Sequence, residues 1–444
     1  MSTREGPPAP PIHDYVRLLL LAAVMALPIA GVAWGFLQVV DQLQSAVWET
    51  WPKDLGYDTP PWWWVVGMLA VAGIIVGLAV VYLPGKGGHV PALGAHFGAT
   101  NPRDLLSIII AGAASIALGA VIGPEGPLLA LGGGLGVLGI QLVRHDAPES
   151  AVKLAALTGT AVAISTIFGS PLIGAVFVLE GLGLAGAASS TVLVPGLLGA
   201  GIGALIFTGL DSWTGLTSPS LALPALPDYP HLHGSDIAWA VAIGLGAALV
   251  GRTIKLIGRT IDSCVAPRPP IMTPLAGLAV AACAIAFTQF TDHDVRFVLM
   301  SGQTEIGPLL AQAGDWSTRA LVLVLVLKGL AYGVSLGSFR GGPTFPALFL
   351  GAAAGLLLSD LPGLAESPAV AMGMGAMCAV ILGMPLSSVV LVEVMLVNSG
   401  SQLTSLVIVA VVVAHVATMA LTPSKNPQNE QDAPVTKPVA ASRA

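Results

Sequence analysis

The chain has 444 residues, of which 55% are hydrophobic and only 9% are charged. An average soluble domain carries roughly 25% charged residues, so the composition excludes an ordinary soluble protein and indicates an integral membrane protein. The formal net charge of −6 is spread thinly along the chain, and no nucleic-acid partner is predicted.

Apolar runs separated by Gly, Pro and short polar breaks recur from about Tyr15 to Leu421. The first two, at residues 16–40 and 62–83, reach the roughly 20 residues that a membrane-spanning helix needs. Other runs are short or abut Pro and Gly, which predicts broken helices at 105–122, 171–182 and 385–397. Such helices are tolerated at membrane depth only where protein or a water-filled cavity surrounds them. Because the alternation of a β-barrel is missing, we predict an all-α polytopic membrane protein.

We expect one membrane domain at residues 15–421, preceded by an N-terminal cytosolic segment at 1–14 and followed by a disordered cytosolic tail at 422–444. The first apolar run lacks an obvious cleavage site, so it is predicted to be a retained helix. No Lys or Arg occurs between Lys153 and Arg252, and basic residues cluster after the next long run. This asymmetry predicts a multi-pass protein of the cell (cytoplasmic) membrane with both termini in the cytosol.

Two segments of the chain repeat one pattern. Residues 123–136 read GPEGPLLALGGGLG and residues 342–355 read GPTFPALFLGAAAG, at an offset of 219. A second pair follows in the same order, GSPLIGAVFVLE ending at Glu180 and GMPLSSVVLVE ending at Glu393. A bias toward Gly, Ala and Leu is the alternative explanation, but two ordered pairs at nearly one offset favour a repeat. We assign its halves to residues 62–208 and 236–421, approximately.

Each half therefore places a Gly and Pro pair at the start of a helix, as in many transporters. Pro in the first turn costs no hydrogen bond. The remaining N–H groups and the positive end of the helix dipole point into the space between the two starts. A small anion fits there, and partial charges alone hold it loosely enough for conduction.

Glu125 lies in the first of these helix starts. A carboxylate inside a membrane is costly and is a functional-site candidate by default. We expect it to occupy the anion site when charged and to leave when protonated, so Glu125 is predicted to be both gate and proton carrier. The alternative is that it only complements the helix dipole at an interface.

The chain resembles the CLC family of chloride channels and chloride/proton antiporters from Tyr15 to about Leu421. GPEGP at residues 123–127 is similar to the family's Gly-Arg-Glu-Gly-Pro segment, in which the glutamate is the gate. GSFRGGPTFPALFLG at 337–351 resembles the third anion-binding segment of the family. GKGGHVPAL at 85–93 corresponds to its Gly-Ser-Gly-Ile-Pro segment.

The resemblance implies an inverted two-fold repeat of tilted, often non-spanning helices, and a homodimer in the lipid bilayer with one pore per subunit. The helix at residues 169–181 is similar to the one that carries the internal proton-transfer glutamate of the antiporters, which makes Glu180 a candidate for the proton path. Chloride coordination beside the gate is expected at Gly88, His89, Gly126, Thr344 and Phe345.

Two departures concern the anion site. Gly88 stands where the family usually has an anion-coordinating serine, so a hydroxyl donor is missing. Pro343 cannot donate a backbone N–H. The Thr344 hydroxyl and the amides of Thr344 and Phe345 are available to compensate.

Two further departures concern proton coupling. The family's proton-transfer position falls on Gly181, one residue after Glu180, and one helical residue rotates a side chain by about 100°. No tyrosine follows Tyr332, so the pore tyrosine of the family's last helix has no counterpart.

Four other features have narrower interpretations. Small residues at 132–136 form a GxxxG pattern typical of close helix packing. His89 is expected to line the pore or an interface, because a His89 and His96 pair is weak evidence for a metal. Lys328 is expected to snorkel, to pair with a carboxylate, or to draw anions toward the pore. Glu393 is interpreted as a hydrogen-bonded structural carboxylate.

The sequence therefore predicts transmembrane transport of chloride or a similar small anion through a CLC-type pore gated by Glu125, either passive or coupled to protons. A fluoride- or nitrate-selective relative is the alternative. A membrane-embedded enzyme is disfavoured because the chain has no H-E-x-x-H, Walker A or G-x-S-x-G motif. A non-conducting receptor would not need paired helix starts. No enzymatic activity, cofactor or metal is predicted.

Overall fold

The structure is a computed structural model that describes residues 12–94, 97–183, 187–216, 223, 226, 227, 229, 231–396 and 401–422. The predicted N-terminal segment at 1–14 and the predicted tail at 422–444 lie almost entirely outside the described residues. His96 lies outside them as well.

The described residues form sixteen α-helices. In chain order they are α1 Ile12–Ser45, α2 Trp51–Asp54, α3 Trp62–Tyr82, α4 Leu105–Ala117, α5 Glu125–Val143, α6 Glu149–Phe168, α7 Pro171–Gly181, α8 Ala187–Thr214, α9 Gly234–Val265, α10 Pro269–Phe290, α11 Ile306–Ala311, α12 Thr318–Ser338, α13 Thr344–Ser359, α14 Glu366–Leu382, α15 Pro385–Met395 and α16 Ser401–Leu421.

Within the described residues, nine helical segments are long and apolar enough to cross a membrane: α1 continued through α2, then α3, α5, α6, α8, α9, α10, α12 and α16. The three runs predicted to form broken helices are α4, α7 and α15, which have 13, 11 and 11 residues. The prediction of mixed spanning and half-length helices is therefore confirmed.

Helix packing repeats along the chain. Helix α5 packs on α6 as α13 packs on α14, and α6 packs on α8 as α14 packs on α16. Helix α1 packs on α8 as α9 packs on α16. The second half of the chain thus reproduces the packing of the first. Helix α1, which precedes the predicted first half at 62–208, takes part in this pattern as α9 does.

Small residues permit the closest of these contacts. A Cβ built on Gly132 would lie 2.3 Å from the carbonyl oxygen of Gly159, and one on Gly136 would lie 2.2 Å from that of Ala155. In the second half, a Cβ on Gly351 would lie 2.3 Å from the Gly373 carbonyl oxygen. The backbones of α5 and α6 therefore touch, as the GxxxG pattern at 132–136 predicts.

Candidate anion-binding site

The first turns of α5 and α13 meet in the middle of the molecule. Gly123 and Gly342 form an isolated antiparallel β-bridge just before the two helices. The amide of Gly123 donates to the Gly342 carbonyl oxygen at 2.7 Å, and the amide of Gly342 donates to the Gly123 carbonyl oxygen at 2.6 Å. Pro124 and Pro343 follow as the residues that cap the two helices. The two repeat motifs thus lie face to face.

Two serines hold the bridge in place from opposite sides. The amide of Val121 donates to Ser335 Oγ of α12 at 3.1 Å, and the amide of Arg340 donates to Ser115 Oγ of α4 at 3.1 Å. Val121 and Arg340 are equivalent positions of the repeat, so each half fixes the linker of the other half by the same type of bond.

Glycine is required where the two linkers touch. A Cβ built on Gly126 would lie 2.3 Å from the carbonyl oxygen of Gly341, and one on Gly341 would lie 2.8 Å from that of Gly123. Real Cβ atoms are not found this close to backbone atoms. The glycines of both motifs therefore allow two helix N-termini to approach each other.

Glu125 lies across this junction. Its side chain is 1% exposed, and Oε1 accepts a hydrogen bond from the amide of Thr344 in the first turn of α13. A Cβ on Gly342 would lie 2.1 Å from Glu125 Cδ, so the carboxyl group is packed directly on the second linker. Oε2 is buried and has no hydrogen-bond partner among the described residues. The carboxylate thus occupies the dipole-favoured position at the start of α13.

The predicted ligands Thr344 and Phe345 adjoin the carboxylate. Both are fully buried, and Thr344 Oγ1 has no hydrogen-bond partner among the described residues. The Phe345 ring packs against that of Phe168 at 5.7 Å between centroids, and Phe168 packs against Phe177 at 6.0 Å. The amide of Thr344 therefore binds Glu125 directly, and the Phe345 ring of the next residue belongs to an apolar aromatic cluster.

The remaining predicted ligands line a separate space. Gly88, His89 and Gly126 border a cavity of about 390 Å³, called the large cavity here, together with Pro343 and Arg340. Residues 85–88 all have left-handed φ angles, between +51° and +94°. Glycine occupies three of these four positions, which explains the GKGG sequence at the rim.

A second cavity lies beside Pro124 at the junction of the two helix starts. This small cavity, about 40 Å³, is bordered by Pro124, Ile167 and Met300. It adjoins an acidic cavity of about 290 Å³, which shares Met300 and is lined by carboxylates of Asp41, Glu49, Asp294 and Glu305 together with Arg296. Pro124 borders the small cavity and Gly126 the large one. Glu125 is the residue between these two in the chain and lines neither cavity.

Two residues near the junction were given no role by the sequence analysis. Tyr332 of α12 is fully buried and donates from its hydroxyl to the Pro343 carbonyl oxygen, so a tyrosine positions the start of α13. Arg340 is 8% exposed and borders the large cavity. No other Lys or Arg occurs between Lys328 and Lys425, and that isolation next to a Gly-Pro helix start is the signal that could have identified Arg340.

Glu180 lies at a different contact. Its Oε1 accepts from the amide of Leu386 at 2.8 Å and its Oε2 from the amide of Ser387 at 2.6 Å. These amides belong to the first turn of α15, which packs against α7. The carboxylate therefore caps the N-terminus of α15, and the structure does not place it beside Gly88, Thr344 or Phe345.

Lys328 and Glu393 have structural partners. Lys328 is fully buried, so the expectation that it snorkels is wrong. Its Nζ donates to the carbonyl oxygens of Val298, Leu299 and Met300 at 3.1 to 3.3 Å, and Nζ lies 4.5 Å from the Phe349 ring centroid. Glu393 accepts a hydrogen bond from the Thr404 hydroxyl, which confirms the interpretation of a hydrogen-bonded carboxylate.

Residues 73–419 match the family model described as voltage gated chloride channel. The chain belongs to the CLC family. That assignment makes it a member of a family of transporters and channels and excludes the alternative of a membrane-embedded enzyme. The family, the all-helical fold and the multi-pass membrane location predicted from the sequence are thereby confirmed.

Curated relatives and solved structures agree with the assignment. A ClcB-like protein of Ralstonia nicotianae, named among chloride channel proteins, is 29% identical over 75% of this CLC-family chain and 77% of its own length. YfeO of Escherichia coli, named among ion-transport proteins, is 29% identical over 83% of this chain and 85% of its own.

Two crystal structures show the same fold. A slow cyanobacterial Cl⁻/H⁺ antiporter superimposes with a TM-score of 0.73 at 18% identity, over 91% of this chain and 95% of its own. A CLC-type fluoride/proton antiporter superimposes with a TM-score of 0.72 at 19% identity, over 93% of this chain and 98% of its own. At this identity the likeness establishes the fold and does not select the anion.

Proposed function

We propose that this CLC-family chain transports chloride or a similar small anion through a pore that Glu125 closes. One observation carries the proposal: Glu125 is buried and binds the amide of Thr344 on the opposite helix start, while its chain neighbours Pro124 and Gly126 border the small and the large cavity. The carboxylate fills a position where a small anion would meet the same helix dipole and amide. Protonation of Glu125 would weaken that bond and open the path.

The proposed substrate is chloride, and fluoride and nitrate are the alternatives. Gly88 offers no hydroxyl, so the ligands assigned to the anion are the Thr344 hydroxyl, the amides of Gly126, Thr344 and Phe345, and the rim residue His89. The free Thr344 Oγ1 supports this assignment, because a buried hydroxyl without a partner is uncommon.

The test is flux from liposomes that contain the purified protein and a chloride gradient, with chloride release and external pH recorded together. We expect chloride release from wild-type protein to rise as the pH falls. Glu125→Ala and Glu125→Gln should release chloride at a rate independent of pH, because the displaceable carboxylate is gone. If chloride release still depends on pH in both variants as it does in wild type, the gate assignment is contradicted.

The same recording separates passive transport from exchange. Proton movement against its gradient, lost in Glu125→Ala, would establish antiport and direct the search for an internal proton donor to Glu180. Chloride release without proton movement would establish passive conduction. Absence of chloride release would contradict chloride as the substrate, and fluoride and nitrate gradients would then be tested.

We also propose that two subunits associate in the bilayer through broad apolar faces and that each contains its own pore. Exposed apolar side chains on α8 and α16, such as Leu205 at 75% and Val416 at 58%, support such a face. Crosslinking of cysteines placed on these two helices in membranes tests the dimer. A monomer at all protein-to-lipid ratios would contradict it.

A further inference from the structure

Arg340 lies in the linker between α12 and α13 and borders the large cavity. Its backbone amide is fixed to Ser115 Oγ of α4, and its Nη1 donates to the carbonyl oxygen of Phe339 at 3.2 Å. Its Nε is buried and has no hydrogen-bond partner among the described residues. The guanidinium is therefore held in place with donor capacity unused.

The guanidinium of Arg340 also lacks a carboxylate in direct contact in the described part of the chain. Within the described residues no carboxylate forms an ion pair with it. Asp262 of α9 acts on Arg340 only through longer-range attraction, and Asp104 borders the same cavity. A buried cation without a partner is strongly disfavoured, so a mobile anion in the cavity is the partner that this arrangement lacks.

Packing alone does not require an arginine at this position. In the first half of the repeat the equivalent residue is Val121, which is fully buried and makes the equivalent backbone bond to Ser335 Oγ. A small apolar side chain therefore satisfies the same junction. Arg340, which borders the large cavity, therefore places a charge where the other half of the repeat has a valine.

We propose that the Arg340 guanidinium is the charged donor of an anion site in the large cavity, supplying there the donor that Gly88 does not have. The proposal deepens the anion transport proposed above and rests on it for its physiological meaning. A guanidinium is planar and its forked N–H groups match oxyanions better than spherical halides. We therefore expect small inorganic anions to bind, and planar nitrate to bind more tightly than chloride.

The test is isothermal titration of purified wild-type protein, Arg340→Gln and Arg340→Lys with nitrate and with chloride. We expect wild type to bind nitrate more tightly than chloride. Arg340→Gln should lose at least about tenfold in affinity for both, because the charge is removed from a buried site. Arg340→Lys should retain chloride binding and lose most of the nitrate preference, because an ammonium has no planar fork.

Arg259→Gln is the matched control, since it removes one arginine charge from an exposed position on α9, and it should bind as wild type does. Equal affinities of wild type and Arg340→Gln would overturn the site. Chloride bound more tightly than nitrate by wild type would overturn the oxyanion preference.

Arg340→Val, which introduces the residue found at the equivalent position 121, provides a second test if Arg340→Gln does not fold. We expect Arg340→Val to fold and to show no stabilisation by nitrate in thermal unfolding, whereas wild type should be stabilised by nitrate relative to gluconate. Stabilisation by nitrate that is the same in both proteins would overturn the proposal.

The outcome is separable from that of the proposed function. If wild type binds anions through Arg340 but no anion crosses the liposome membrane, transport fails and the site stands. If anions cross and Arg340→Gln binds them unchanged, transport stands and the site fails.

Discussion

The carboxylate of Glu125 accepts a hydrogen bond from the amide of Thr344, the residue that holds the same position in the other half of the chain. The two residues are 219 apart in sequence. Each begins its helix, α5 or α13, after a Gly-Pro pair. The Glu125 side chain of the first half thus covers the start of α13 in the second half. Closure therefore depends on how closely the two linkers approach.

Gly342→Ala should displace the carboxylate of Glu125. The new Cβ would lie 2.1 Å from Glu125 Cδ and 2.2 Å from its Cγ, and that flexible side chain would move before the bridged backbone does. We expect chloride release at neutral pH to rise severalfold, measured in liposomes.

Gly246→Ala is the control, because nothing lies within 4 Å of a Cβ at that position. In a Glu125→Ala background, Gly342→Ala should add no further increase. A full additive increase there would show that Gly342→Ala acts on the pore by another route.

Glu180→Ala should destabilise the protein by about 1–3 kcal/mol, because two charge-assisted hydrogen bonds to the amides of Leu386 and Ser387 are lost. Thermal unfolding in detergent measures the change. Glu149→Ala removes an exposed glutamate from the first turn of α6 and should have little effect.

Measuring proton movement tests whether Glu180 has a second role besides capping α15. If Glu180 only caps α15, then Glu180→Gln should leave the ratio of proton to chloride movement unchanged. Loss of proton movement with chloride release intact would assign Glu180 to the proton path.

Lys328→Met should cost about 3–5 kcal/mol of stability, which is the typical effect of breaking a buried charge cluster. The substitution leaves the three carbonyl groups at 298–300 without a donor and removes a charge that attracts the buried Glu305. Thermal unfolding measures it, with exposed Arg319→Met of the same helix as control. Unchanged stability combined with slowed chloride release would instead indicate a role in drawing anions to the pore.

His293 should make stability depend on pH. It lies in the segment between α10 and α11 and stacks on Trp316 at 3.8 Å between centroids. Burial lowers the pKa of His293, although Asp292 and Asp315 act in the opposite direction. The folded protein thus favours the neutral ring, so this contribution is complete above the ordinary pKa of about 6.5 and is lost as the pH falls below it.

His293→Phe keeps a stacked ring and removes the titration. Between pH 7 and pH 5 we expect wild type to lose more thermal stability than His293→Phe, by less than about 1 kcal/mol because the ring is partly exposed. Equal losses in the two proteins would contradict the assignment.

Much of the fold could be predicted because its signals are local. Long apolar runs predict spanning helices, and short runs or runs that abut Gly and Pro predict broken ones, which is why α4, α7 and α15 were expected as short elements. The offset of the two motifs predicted that α5 and α13 are equivalent. Close packing at Gly132 and Gly136 could also be predicted, since a GxxxG pattern describes one face of one helix, although the sequence did not identify α6 as the partner.

The sequence by itself determined the membrane class, the repeat and an isolated glutamate at a helix start, because these follow from composition and spacing along the chain. Only the tertiary structure decided the partners. Glu180 accepts hydrogen bonds from amides of α15, Tyr332 donates to Pro343, and Arg340 borders the large cavity. Such contacts depend on how the two halves close on each other, which no short window of sequence contains.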